Sequence, residues 1–224
     1  MGKQIVLTAS DGFELDAYLA TPAGPPVGCI VVIQEIFGVN QHIREVSDGF
    51  AEDGFLALAP AIFDRAEKGV ELGYEGSDIA TGAGIARGKL DHGKTLLDLQ
   101  AAIDYLQPKG KVGVVGYCFG GLMTWMCACK ADNLSCAVGY YGGGIAGAIE
   151  LVPQVPVMLH FGNLDAHIPL SDVNDISKAH PEVAVHVYDA DHGFNCDHRA
   201  SFDAAAAATA RQRTLEFFAQ HLKA

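Results

Sequence analysis

From Gln4 onward, short apolar runs alternate with longer stretches whose apolar residues recur at helical spacing. Two short strands are expected at Gln4–Thr8 and Glu14–Ala20, divided by the hairpin-forming sequence Ala-Ser-Asp-Gly. Cys29–Gln34 is a continuous apolar run of the kind that fills a central strand covered on both faces. A helix over Gln41–Asp53, closed by Gly54, leads to a strand at Phe55–Ala59 that Pro60 should stop. Residues 61–83 show no clear period, and so long a segment in a compact domain often contributes to a site or a lid. Ile85–Leu106 reads as one long helix, with Leu96, Leu99, Ile103 and Leu106 on one face. An apolar strand at 112–117 turns at once into a helix. Strands then follow at Ala137–Tyr141, Pro156–Phe161 and Val183–Tyr188, with a short helix near 171–179. A final helix over 199–222 carries Leu215, Phe218 and Leu222 on one face. This alternation predicts an α/β fold, with a mostly parallel sheet flanked by helices on both faces. No repeat or interdomain linker interrupts it, so residues 1–224 read as one domain.

Composition narrows the function classes. Half of the 224 residues are apolar and 19% are charged, which marks a globular chain. A net charge of −12, with no cluster of Lys and Arg, argues against a nucleic-acid partner. The longest apolar stretches are strand-length and interrupted by Gly, Pro or charge, so no membrane span is expected. The first residues carry no apolar signal core, and a cytoplasmic protein is expected, as a monomer or weak homodimer. In that setting the six cysteines read as free thiols. Cys127 and Cys129 lack the spacing of a zinc or redox pair.

Candidate chemistry begins at residues 112–121, Val-Gly-Val-Val-Gly-Tyr-Cys-Phe-Gly-Gly. A strand entering a Gly-x-Cys-x-Gly turn and then a helix is the nucleophile-elbow pattern, with Cys118 in the nucleophile's place. The sharp turn strains the nucleophile's backbone, and Gly116 and Gly120 leave room for close approach. A helix N-terminus there favours an anionic thiolate. The alternative is a small core cysteine at a strand–helix joint.

A nucleophilic cysteine needs a base, and the base a partner that fixes its tautomer. In α/β-hydrolases these follow in the order nucleophile, acid, histidine, on loops after strand ends. Asp165 follows the strand ending at Phe161, and His192 follows the strand ending at Tyr188. Either could be an ordinary loop residue; order and placement together favour a triad. His160, His167 and His198 do not fall on the first loop after the last strand. The backbone N–H groups of Ile36 and Phe119 are the candidate oxyanion donors. Glu35, beside them, could accept the thiol proton or hold it until substrate arrives; otherwise it pairs with Arg44 or Arg65. His192, Cys196, Asp197 and His198 match no common ligand set, so no metal is expected.

Gln34-Glu35-Ile36-Phe37-Gly38-Val39-Asn40, Gly116-Tyr117-Cys118-Phe119-Gly120-Gly121, Gly162-x-x-Asp165 and Asp191-His192-Gly193-Phe194 together resemble the dienelactone hydrolase (carboxymethylenebutenolidase-like) family. The resemblance spans nearly the whole chain. It implies an α/β-hydrolase fold, no metal or organic cofactor, and a triad of Cys118, His192 and Asp165. It further implies that Glu35 pairs with the thiol at rest and releases or deprotonates it when substrate binds. The implied substrate is an unsaturated lactone bearing a carboxylate, from the breakdown of chlorinated aromatics. Well-studied members hold that carboxylate with arginines, one of them four residues after the catalytic histidine, where this chain has Cys196. Arg65 and Arg87 are available in the region of the other arginine, and Arg199 stands near the lost position. Substrate contacts are therefore expected from Arg87, Tyr74, Phe37 and Arg199, in a hydrolase acting on a small ester or lactone. The competing expectations are a broad small-acyl carboxylesterase or thioesterase, and a redox-sensing or binding protein that keeps the elbow.

Overall fold

The computed structural model describes residues 2–223. Its sheet has eight strands: β1 (Lys3–Thr8), β2 (Glu14–Ala20), β3 (Cys29–Ile33), β4 (Leu56–Pro60), β5 (Val112–Tyr117), β6 (Leu134–Tyr140), β7 (Val157–Gly162) and β8 (Ala184–Tyr188). They lie side by side in the order β1-β2-β4-β3-β5-β6-β7-β8. β2 runs antiparallel to both β1 and β4, and every other pair is parallel. This is the α/β-hydrolase fold. The β1–β2 hairpin closes on Gly12, whose φ of +84° suits glycine.

Among the described residues six α-helices complete it: α1 (Gln41–Glu52), α2 (Gly76–Gly88), α3 (His92–Leu106), α4 (Phe119–Lys130), α5 (Leu170–Ala179) and α6 (Ala204–Leu222). β3 and β5 are buried along their whole length, which is why their sequences are apolar without alternation. Side chains along β5 alternate between two helical layers. A Cβ on Gly113 would meet Phe218 and Leu222 of α6, whereas one on Gly116 would overlap Gly120 and Thr124 of α4. Phe50 of α1 and Phe218 of α6 meet Phe55 edge-on, closing the α6 side.

Several boundaries differ from the sequence expectation. The expected helix over Ile85–Leu106 is two helices, because Asp91 leaves the helical conformation and caps α3 by accepting from the Lys94 N–H at 3.1 Å. α2 begins inside the segment 61–83 that showed no period; its four glycines hide the pattern. Pro60 is the last residue of β4 rather than a stop before it, at a register opposite Ala17. The last helix starts at Ala204, where Asp203 accepts from the Ala206 N–H at 2.8 Å, so residues 199–202 belong to the preceding loop. The parallel strands β3, β5, β6, β7 and β8 all end at one edge, where ligands collect in open α/β sheets. Among the described residues no helix is long and apolar enough to cross a membrane.

Candidate active site

At the carboxyl end of β5 the backbone of Cys118 is forced to φ 54° and ψ −114°, a region that L-residues rarely occupy. The surrounding small residues make this turn possible. A Cβ on Gly120 would overlap the carbonyl oxygens of Ile33 and Gln34, and one on Gly121 would press on that of Tyr140. The Cys118 N–H donates to the Tyr140 carbonyl at 3.0 Å, fixing the elbow to β6.

Asp165 follows β7 and His192 follows β8, as expected. His192 Nδ1 and Asp165 Oδ2 are 2.7 Å apart. The other carboxylate oxygen, Oδ1, accepts from the backbone N–H groups of His167 at 2.8 Å and Ile168 at 3.2 Å. Burial opposes the charge on Asp165, but His192 and the His167 N–H hold its carboxyl below the usual range. Burial would also lower the pKa of His192. Its hydrogen bond to Asp165 and its proximity to Cys118 outweigh that and raise it to about 10. His192 is thus fixed on Asp165, and Cys118 lies close enough to help raise its pKa.

The segment after β3 forms the opposite wall. Neither the Ile36 N–H nor the Phe119 N–H donates to a protein acceptor among the described residues. Both candidate donors are therefore available to a ligand atom. Helix α2 packs against this wall: a Cβ on Gly82 would overlap the Ile36 carbonyl oxygen. Residues 69–72 are fastened to it as well, through the Leu72 N–H to the Phe37 carbonyl at 2.9 Å and an ion pair of Arg44 with Glu71 at 2.7 Å.

Glu35 is only 1% exposed and pairs with neither Arg44 nor Arg65. Arg44 is engaged by Glu71, and Arg65 binds Asp11 and Asp98 at 2.9 and 2.7 Å. The partner of Glu35 is Arg199, whose Nη1 lies 3.3 Å from Oε1. Burial raises the pKa of Glu35, while Arg199 and His192 pull it back.

The dienelactone hydrolase family profile matches residues 15–222. This chain belongs to the dienelactone hydrolase family. It is 35% identical to a carboxymethylenebutenolidase of Pseudomonas putida, over 96% of this chain and 95% of that protein. It is 31% identical to carboxymethylenebutenolidase 1 of Cupriavidus pinatubonensis, with the same coverage of 96% and 95%. The crystal structure of a candidate dienelactone hydrolase from Klebsiella pneumoniae superposes with a TM-score of 0.84 at 30% identity, covering 98% of this chain and 100% of that one. A dienelactone hydrolase-like promiscuous phosphotriesterase from metagenomic libraries shares the fold, with a TM-score of 0.77 at 21% identity. Membership makes the chain a hydrolase of ester or lactone bonds.

Within this dienelactone hydrolase fold the remaining expected contacts divide. Arg199 lies with its guanidinium carbon 5.8 Å from the Phe37 ring centre and 5.9 Å from that of Tyr74. Those two rings meet edge-on at 4.6 Å, so Phe37, Tyr74, Arg199 and Glu35 form one cluster. Tyr74 is anchored by Asn40, whose Nδ2 donates to its hydroxyl at 3.1 Å. Arg87 stands apart: it is exposed on the last turn of α2 and makes no ion pair or hydrogen bond with the site among the described residues. Helix α2 turns Gly82, not this arginine, toward the wall. Cys196 is fully buried, and burial pushes its thiol up to about 12, so it supplies no positive charge.

Three neighbours were not expected at the site from the sequence. Tyr141, with φ 36°, packs its ring 5.1 Å from that of His192 and keeps its buried hydroxyl without a protein partner among the described residues. His167 meets His192 edge-on at 5.4 Å, and His92 lies 5.6 Å from the Phe119 ring. The Tyr-Tyr-Gly-Gly-Gly that ends β6 was the available signal for Tyr141, since it sits at the same sheet edge as Cys118.

Proposed function

We propose that this chain opens a lactone, or cleaves a small ester, through a thioester on Cys118. The reading is carried by one juxtaposition. A strained Cys118 stands at the elbow within reach of His192, whose Nδ1 is fixed on buried Asp165.

The thiolate of Cys118 adds to the substrate carbonyl carbon. A C–S bond forms, and the carbonyl π pair moves onto oxygen, opposite the N–H groups of Ile36 and Phe119. Losing one such donor costs about 10²–10³ in turnover. Collapse breaks the C–O bond, and the leaving oxygen takes a proton from His192, whose raised pKa keeps it protonated near neutrality. In a lactone that oxygen stays tethered. Water then adds to the thioester carbonyl, giving its proton to His192, and the C–S bond breaks to restore the thiolate.

Glu35 and Arg199 supply the link to substrate. A substrate carboxylate that competes for Arg199 frees Glu35, which then takes the proton of the Cys118 thiol. The stacking of Arg199 near Phe37 and Tyr74 supports an acidic, unsaturated lactone as substrate. The neutral thiol of Cys196 favours the second reading, a broader esterase or thioesterase acting on small uncharged acyl groups.

Hydrolysis of a dienelactone and of simple aryl esters by wild type and Cys118→Ala tests the proposal. Lactone turnover that vanishes in the variant supports it. Ester turnover without lactone turnover supports the second reading. Turnover that survives in Cys118→Ala contradicts both.

A further inference from the structure

Beside the Glu35–Arg199 pair lie two side chains, His42 and Cys196, that the hydrolytic chemistry does not use. Glu35, His42 and Cys196 are all buried, at 1%, 3% and 0% exposure. A carboxylate oxygen, an imidazole nitrogen and the thiol sulfur of these three lie within 4.8 Å of one another. They come from the loop after β3, from the first turn of α1 and from the loop after β8, so only the folded chain brings them together.

Two of these groups present buried atoms with no protein partner among the described residues, Glu35 Oε2 and His42 Nε2. Leaving such atoms unpaired in the interior is costly, and more so for a charged group. The other atom of each group is already engaged. Arg199 holds Glu35 Oε1, and His42 Nδ1 lies 3.3 Å from Asp197 Oδ1. A carboxylate on one imidazole nitrogen fixes the tautomer and turns the lone pair of the other nitrogen inward, the usual support of a metal-ligating histidine.

We infer that Glu35, His42 and Cys196 form a binding site for a thiophilic divalent cation of the zinc type. One carboxylate, one imidazole and one thiolate are ligands that zinc takes, at bonds of about 2.0–2.3 Å. Tetrahedral bonds of that length put ligand atoms roughly 3.3–3.8 Å apart. The observed limit of 4.8 Å therefore needs only a small inward movement. The thiol proton leaves to solvent as the S–metal bond forms, and the carboxylate and thiolate together balance the dication. A fourth position remains for water.

A surface cleft of about 360 Å³ borders the site: His42 lines it together with Glu45, Asp197 and Arg211. On sequence spacing alone, His192, Cys196, Asp197 and His198 match no common ligand set. The fold changes that by supplying His42 and Glu35 from distant segments.

Cobalt(II) titration of the full chain, followed by absorption, reads the site without any assay of hydrolysis. Wild type should bind one Co²⁺ with a thiolate-to-cobalt charge-transfer band. The band should remain in Cys118→Ala and disappear in Cys196→Ser. Asp197→Asn, at an exposed carboxylate, should weaken Co²⁺ binding by about 10–100-fold. Glu45→Gln should leave the band in place. Absence of the band in wild type overturns the site, as does its loss in Cys118→Ala or its survival in Cys196→Ser. A cobalt spectrum without sulfur character, abolished by Glu45→Gln, also overturns it by putting the ion on the outer groups Glu45, Asp197 and His198. If Cys196→Ser does not fold, Cys118→Ala and Asp197→Asn decide alone. Inhibition of hydrolysis by zinc would follow from the role proposed for Glu35, and its absence would count against that role rather than against the site.

Discussion

Arg199 and Glu35, 164 residues apart in sequence, meet at 3.3 Å across the mouth of the site. The arginine reaches there over Gly193, where a Cβ would overlap its guanidinium. It is the cation nearest to a carboxylate that is otherwise isolated from solvent.

Arg199→Ala therefore removes both a counter-charge and a docking group. Truncating one member of a hydrogen-bonded buried charge pair costs about 2–5 kcal/mol. kcat/KM for a carboxylate-bearing lactone should fall by about 10²-fold or more, and for a neutral aryl ester by less. The ratio of the two constants, measured side by side, checks the docking role; equal losses would leave Arg199 a partner of Glu35 only.

Asp165→Asn should lower kcat by about 10²–10⁴, because His192 loses its orienting carboxylate. Its effect on stability is pH-dependent. His192 has its pKa raised from 6.5 to about 10, so its contribution is complete below pH 6.5 and lost as pH rises toward 10. Asp165 has its pKa lowered from 3.8, so its contribution is present above that value and lost on further acidification. The stability gap between wild type and variant should be widest between pH 3.8 and 6.5 and narrow on either side. Urea unfolding across the pH range measures it.

Gly82 and Gly84 are two residues apart on α2 and should respond oppositely to alanine. At Gly82 the new Cβ collides with the Ile36 carbonyl, destabilising by about 1–3 kcal/mol and lowering kcat through the Ile36 N–H. At Gly84 nothing lies within 4 Å, so Gly84→Ala should stabilise by about 0.4–1 kcal/mol. Thermal melts and initial rates of the two variants separate the effects.

Arg65 bridges Asp98, which is fully buried, and Asp11 at the surface. Arg65→Met strands the Asp98 carboxylate without its cation and should cost about 3–5 kcal/mol in chemical denaturation. Hydrolysis by the folded variant should change little, since Glu35 draws on Arg199 instead.

How far the chain explains itself differs by residue. Cys118, Asp165 and His192 were legible because strand ends and turn glycines fix their positions from local sequence alone. The elbow is written in Gly116, Gly120 and Gly121, where contacts within a few residues decide the outcome. The partner of Glu35 was not legible: Arg44 and Arg65 were the candidates, and the path of the loop after β8 brings Arg199 to it instead. The break between α2 and α3 was hidden because Asp91 competes as a cap within an otherwise helical spacing. His42 gave no signal and Cys196 was weighed only with its loop neighbours, since a helix face and a loop carry no local mark of meeting. Arg87 was favoured for its charge and region, but the helix turns it to solvent.

The central claim is that Cys118 carries the acyl group. Acid-quenched mass spectrometry during turnover of an aryl ester measures it directly. The account predicts a mass increase equal to the acyl group, located on the peptide containing Cys118 and absent from Cys118→Ala, which should be inactive. An acyl group on any other residue, or full turnover by Cys118→Ala, would contradict it.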